Sequence, residues 1–291
     1  MDARQRLKIF IGVQDNTKNA MFAMRNRFRK FGDDMSRSRD LITGGAATTF
    51  ASVYGIRNLV QPAREFNKAI GDLESLQAPI ESIDHLKKTA LGFVSEFGGA
   101  ADEFVRSSYD IQSAIGGLKG NELAAFTRAA AMLAQGTKAS TSEITGYFGT
   151  MYGIFDKEAA KLGKAQWVDQ LTGKTAKAVQ IFKTTGAGMS QAFTSVGANA
   201  QAMGVNMDEQ MAVLGTLQAT MSGSEAGTKY KAFLRNVFKS QDQLGLKFTD
   251  ANNKILPIVD ILEKIKGKFG DLDASELAKL QKSFGDEGIG V

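Results

Sequence analysis

The chain has 291 residues, enough for one large domain or two modest ones, and its 43% hydrophobic and 23% charged residues exclude wholesale disorder. The absence of cysteine excludes a disulfide framework, a thiolate metal site and a thiol nucleophile, and a single histidine excludes a His-based metal cluster. The net charge of +5 is concentrated in residues 1–40, where ten Lys and Arg face five Asp, so the remainder is near neutral.

Taken in chain order, Leu7 to Val13 alternates large apolar residues as a short strand does, and Asp15-Asn16-Thr17 supplies a turn and a helix N-cap. Lys8 inside that apolar run, and the polar stretch after it, argue against a secretory signal. A helix is expected from there to about Asp40. Met21, Met24, Phe28, Phe31 and Met35 recur at spacings of three and four, the seam of a coiled coil and a candidate self-association surface. A helix docking on its own domain would carry the same stripe. Arg25, Arg27, Arg29 and Lys30 lie mostly off the seam; they are candidate contacts for an anionic partner, or else a solvated face. Sequence-specific nucleic-acid recognition is not supported, because the aromatics among these basic residues belong to the seam, which leaves DNA as at most a non-specific partner.

Two uncharged stretches are poor membrane spans. Residues 41–56 are too short, and residues 184–207 are interrupted by Gln191, Asn199, Gln201 and Asn206, each costly in hydrocarbon. No membrane is expected for this segment. A boundary is expected near residue 60, with Pro62 at the first turn of a helix, where a missing N–H is harmless. This divides the chain into a basic region at 1–60 and a helical body at 61–291.

Helix entries in the body share one device: Ser140 with Glu143, Asn206 with Glu209, Ser222 with Glu225 and Asp273 with Glu276 all read as capping boxes. These acids are thereby explained structurally and are poor candidates for catalysis. A faint echo also runs through the body. Ala134-Gln135, Glu143 and Gly149-Thr150 recur 66 residues later, and Ala125-Phe126-Thr127 recurs 67 residues later, as two similar helix-turn-helix units would, although alanine-rich helices also match by chance. Residues 246–249 and 254–256 flank Asp250 to Asn253 as a small β-hairpin. Pro257 then opens an amphipathic helix with Ile258, Ile261, Leu262, Ile265 and Phe269 on its buried face. A last helix from Asp273 reaches Phe284-Gly285, and Val291 follows without a terminal element, so a longer protein is expected. The fold class is all-α, with a minor β-hairpin and the short N-terminal strand.

Chemistry-bearing motifs are scarce. His85 lies among Ile83, Asp84, Leu86 and Lys87 at a helical position, and Gly116-Gly117-Leu118-Lys119-Gly120 lacks the Gly-Lys-Ser/Thr ending of a phosphate loop and reads as a helix-helix turn. Trp167 and the stripe Met203, Met207, Met211 are expected to pack in the core, with an adaptable partner surface as the alternative. No catalytic residue, cofactor site or metal site is expected, and the chain does not read as an enzyme.

From Pro62 to the end, the order of elements resembles the core domain of phage tail tape measure proteins. The resemblance rests on Pro62 to Ile70, Ser107 to Ile111 ahead of Gly116-Gly117, and Ala200 to Val205 leading into Met207-Asp208-Glu209. It continues through Met221 to Thr228, Leu244-Gly245-Leu246, Ile255 to Leu262 and Ser283-Phe284-Gly285. The resemblance implies a structural tail component that scaffolds tube assembly and sets tail length. It further implies a homo-oligomer in the virion tail, made in the host cytoplasm, whose partners are the tail tube protein, the baseplate hub and the tail assembly chaperones. Rival readings are a basic helical nucleic-acid-binding protein and a helical cell-wall hydrolase or toxin.

Overall fold

The computed structural model describes residues 53–270 and 273–291, with side chains from residue 61 onward. Helices hold 78% of the described residues, which establishes the all-α class. They fall into two compact units that divide at Gly173.

The N-terminal unit contains α1 (Val53–Glu74), α2 (Ile80–Phe97), α3 (Ala101–Ile115), α4 (Glu122–Thr137), α5 (Thr141–Leu162) and the first part of α6 (Lys164–Phe182). Helix α3 is its hub, packing on α1, α2, α4 and α5. Apolar spacing dictates the facing of α2: Ile83, Leu86, Ala90, Phe93 and Phe97 recur every three or four residues and all are buried. Helix α4 is buried over most of its circumference, and its run of Ala129, Ala130 and Ala131 lets neighbours approach closely. An aromatic cluster fills the space beside it. The Phe126 ring meets Phe148 edge-on at 6.1 Å, with Trp167 at 6.2 Å and Tyr152 at 6.4 Å. The expectation that Trp167 packs in the core is met.

The C-terminal unit holds the rest of α6 with α7 (Gly186–Val196), α8 (Asn199–Ala202), α9 (Met207–Leu217), α10 (Gly223–Leu244), α11 (Ile258–Phe269) and α12 (Ala274–Gly288). Helix α10 is its hub, with α7 on one flank and α12 on another. Against α7 the contact is backbone to backbone: a Cβ added at Gly223 would collide with the Gly188 carbonyl, and one at Gly227 with the Ala192 carbonyl. Gly223 and Gly227 are one turn apart on α10, as Gly188 and Ala192 are on α7, so four small residues make the crossing. Against α12 the contact is aromatic. Phe284 stacks on Phe233 with centroids 4.9 Å apart and planes 8° apart. Alongside, the Ser240 hydroxyl donates to the Ser283 carbonyl and the Asn236 amide to the Phe284 carbonyl, each at 2.8 Å.

Three expectations need correction. Helix α1 begins by Val53, so Pro62 lies inside it and not at its start. Pro62 is exposed, and a proline on the solvent side of a helix forfeits one hydrogen bond whose carbonyl water can take, so the chain continues through it. The hairpin reduces to a single antiparallel bridge between Thr249 and Ile255, and no strand occurs among the described residues. The amide of Phe248 is taken by the Gln241 side chain at 2.7 Å, and the Asp250 carboxylate closes the turn by accepting from the Asn252 and Lys254 amides. A ladder cannot extend past those bonds on one side or past Pro257, which has no N–H, on the other. On α11 only Ile258 and Ile261 are buried, while Leu262 stays exposed.

The cap device holds in local form. Ser140 with Glu143 and Asp273 with Glu276 form complete capping boxes, whereas Ser222 and Asn206 accept from the N3 amide without the reciprocal bond. The echo corresponds to a helix-turn-helix in each unit, α4 with α5 and α7/α8 with α9. Where α4 is continuous, the second copy breaks at Gly197, whose φ of +59° a glycine adopts without strain, and the copies differ in length by one residue there.

Candidate functional site

The seam residues Met21, Met24, Phe28, Phe31 and Met35 and the basic residues Arg25, Arg27, Arg29 and Lys30 lie outside the described residues. Among the described residues, no group of His, Asp and Glu is placed to hold a metal ion, and no helix is long and apolar enough to cross a membrane. His85 sits on α2 with its side chain half exposed, 3.9 Å from Glu81. In the Gly116 to Gly120 turn the Lys119 amide donates to the Glu122 carboxylate at 2.8 Å, which ties the loop to the start of α4 and places an acid at that helix N-terminus.

The most unusual ionisable group is Glu209. Its backbone amide is capped by Asn206 at the start of α9, but its carboxylate turns away from that cap. It accepts instead from the Ile258 amide at 2.5 Å, 49 residues further on. Helix α11 begins after Pro257, which offers no side-chain cap, and a Glu209 oxygen supplies the acceptor that its first amide lacks. Burial pushes the Glu209 carboxyl above its ordinary range; the Ile258 N–H works against this, and nearby Asp260 adds to it. Tyr230 lies fully buried nearby, its ionisation pushed far up by burial and by the Glu209 charge, and its hydroxyl finds no partner. Gln210 donates to the Val205 carbonyl at 2.8 Å.

A carboxyl displaced upward beside a tyrosine has the composition of an acid-base pair. Its geometry argues otherwise: Glu209 is only 7% exposed, and its carboxylate is occupied by a helix terminus, so no reacting proton can be presented to it. A depression lined by Leu256, Asp260, Glu263 and Lys264 lies at the start of α11 and does not include Glu209. The cluster acts as a tertiary clasp that holds α11 to α9. Sequence reasoning assigned Glu209 to a local capping box and missed this. The available signal was the Pro257-Ile258 helix start, which has no capping side chain of its own.

A carboxyl whose folded-state pKa is raised binds its proton more tightly folded than unfolded. Its stabilising contribution is therefore complete below the ordinary value of 4.5 and is lost as pH rises through the raised value. Glu209→Gln keeps an oxygen to accept from Ile258 and removes the titration. The melting temperature of the wild type minus that of Glu209→Gln should fall between pH 4 and pH 7; a flat or rising difference would show that the carboxyl is not held in this environment.

The family model for phage-related minor tail proteins matches residues 87–285. No curated protein and no solved structure matches the chain. The matched span begins in α2 and ends on the Phe284-Gly285 step that pins α12 to α10, so it takes in most of both helical units together with the glycine crossing and the Glu209 clasp. By that match, the chain belongs to the phage-related minor tail protein family.

Proposed function

We propose that the chain is the tape measure protein of a phage or prophage tail, which scaffolds assembly of the tail tube and sets tail length. The observation that carries this reading is the ordered series of motifs from Pro62 to Gly285, which resembles the tape measure core and whose motifs from Ser107 onward lie within the family match. A fully helical chain of this length would span roughly 440 Å at about 1.5 Å per residue. The longest described helices have 22 residues, so the described units serve as a folded end of the ruler. Residues 1–60 form a basic region that runs into α1, and in it Met21, Met24, Phe28, Phe31 and Met35 join copies of the chain. Arg25, Arg27, Arg29 and Lys30 face an anionic partner surface, and DNA only non-specifically. The partners are the tail tube protein, the baseplate hub and the tail assembly chaperones; the protein resides in the virion tail after synthesis in the host cytoplasm.

The experiment is complementation of a phage carrying a nonsense codon in this gene. Wild-type chain should restore tails of uniform length, whereas Phe28→Asp combined with Phe31→Asp should give no tails or tails of scattered length, because a charge at each seam position would have to be buried between copies. Uniform tails in the uncomplemented mutant would overturn the function. Uniform tails with the double variant would overturn the seam alone.

A further inference from the structure

The outer surface of α2 carries two large apolar side chains that its buried stripe does not explain. Ile80 is 79% exposed and Leu91 63%, whereas Ile83, Leu86, Ala90, Phe93 and Phe97 all point into the core. At 3.6 residues per turn, Ile80, Asp84, Lys87 and Leu91 fall within an arc of about 60° on one face. Asp84 and Lys87 lie 4.0 Å apart with side chains 61% and 41% exposed. The face therefore reads apolar, acid, base, apolar at spacings of four, three and four; the spacing is symmetric about the midpoint between His85 and Leu86, and reversal exchanges the acid with the base.

We propose that this face of α2 pairs antiparallel with the same face of a second copy of the chain, about a two-fold axis through that midpoint. Reversing the helix places Ile80 on Leu91 of the other copy and Asp84 on its Lys87, and the two-fold repeats both pairs, as an isologous contact requires. Both apolar side chains leave water, and each charge, already paired along its own helix, gains a second opposite charge across the contact. A parallel arrangement would set Asp84 against Asp84 and Lys87 against Lys87, which like charges oppose. One helix face buries less than the roughly 800 Å² per partner of a stable complex, so the contact suits copies already concentrated in one assembly. It is separate from the seam at residues 21–35 and does not depend on whether the chain sets tail length.

The absence of native cysteine makes the geometry directly testable. Two purified chains, one with Ile80→Cys and one with Leu91→Cys, are oxidised alone and as a mixture. Positions 80 and 91 of different copies meet in the antiparallel pair, whereas two copies of position 80 lie about 16 Å apart along the axis, beyond the reach of a disulfide. The mixture should cross-link at least about tenfold faster than either variant alone. Placed in both cysteine chains, Asp84→Lys should slow cross-linking of the mixture by about tenfold, and adding Lys87→Asp should restore it, since the exchanged charges pair again. Cross-linking of the single variants at the rate of the mixture would indicate a parallel contact and overturn the proposal. So would an absence of cross-linking in all three samples, or a charge-exchanged mixture that cross-links as slowly as the one carrying Asp84→Lys alone.

Discussion

Gly227→Leu is expected to destabilise the C-terminal unit by about 3 kcal/mol or more, the upper end of what overpacking costs. A Cβ at this position would meet the Ala192 carbonyl and would stand 2.6 Å from the Ser195 Cβ, so the added side chain has no void to enter and no flexible neighbour to displace. The two helices must separate, and the α7–α10 crossing is one of the two principal contacts of that unit. A melting temperature lower by on the order of 10 °C should follow. Gly153→Ala is the control. It lies on an exposed turn of α5 where a Cβ meets nothing within 4 Å, and alanine there should leave stability equal or higher by about 0.5–1 kcal/mol. Equal melting temperatures for Gly227→Leu and wild type would mean that α7 and α10 do not cross at these glycines.

Phe284→Ala should cost about 3–5 kcal/mol, the usual range for emptying a buried aromatic site. The ring stacks on Phe233 and lies 6.3 Å from Phe248, and the backbone on either side is fixed by Asn236 and Ser240. Because those backbone bonds hold the position open, the neighbours cannot collapse into the cavity. Leu277→Ala on the same helix, at a residue 47% exposed, should change stability by less than about 0.5 kcal/mol. Urea denaturation of both variants distinguishes the two cases, and a loss below about 1 kcal/mol for Phe284→Ala would contradict the stacking.

The features legible in the sequence are those set by neighbours three or four residues away. The buried stripe of α2 and the complete boxes at Ser140 and Asp273 follow from helical spacing and cap chemistry, both local. What sequence reasoning missed depends on distant partners. Gly223 and Gly227 were visible as part of a family pattern, but their role depends on Gly188 and Ala192, each 35 residues earlier in the chain, and helical periodicity does not say which helices cross. Glu209 satisfied a local rule, yet its carboxylate was drawn to a helix start 49 residues away. The hairpin had the right turn residues, but a glutamine from α10 took the amide that a ladder needed. On α2, Ile80 and Leu91 stand outside the buried stripe, and only the exposure of both shows that they share an unpartnered face.

Tail length is the quantity that tests the tape measure reading most directly. An in-frame helical insert of about 42 residues placed directly after Val291 in the phage gene should lengthen the tail by roughly 63 Å, at 1.5 Å per helical residue, with the tails still uniform by electron microscopy. Assembled, infectious virions whose tails keep their original length would contradict the claim that this chain sets it.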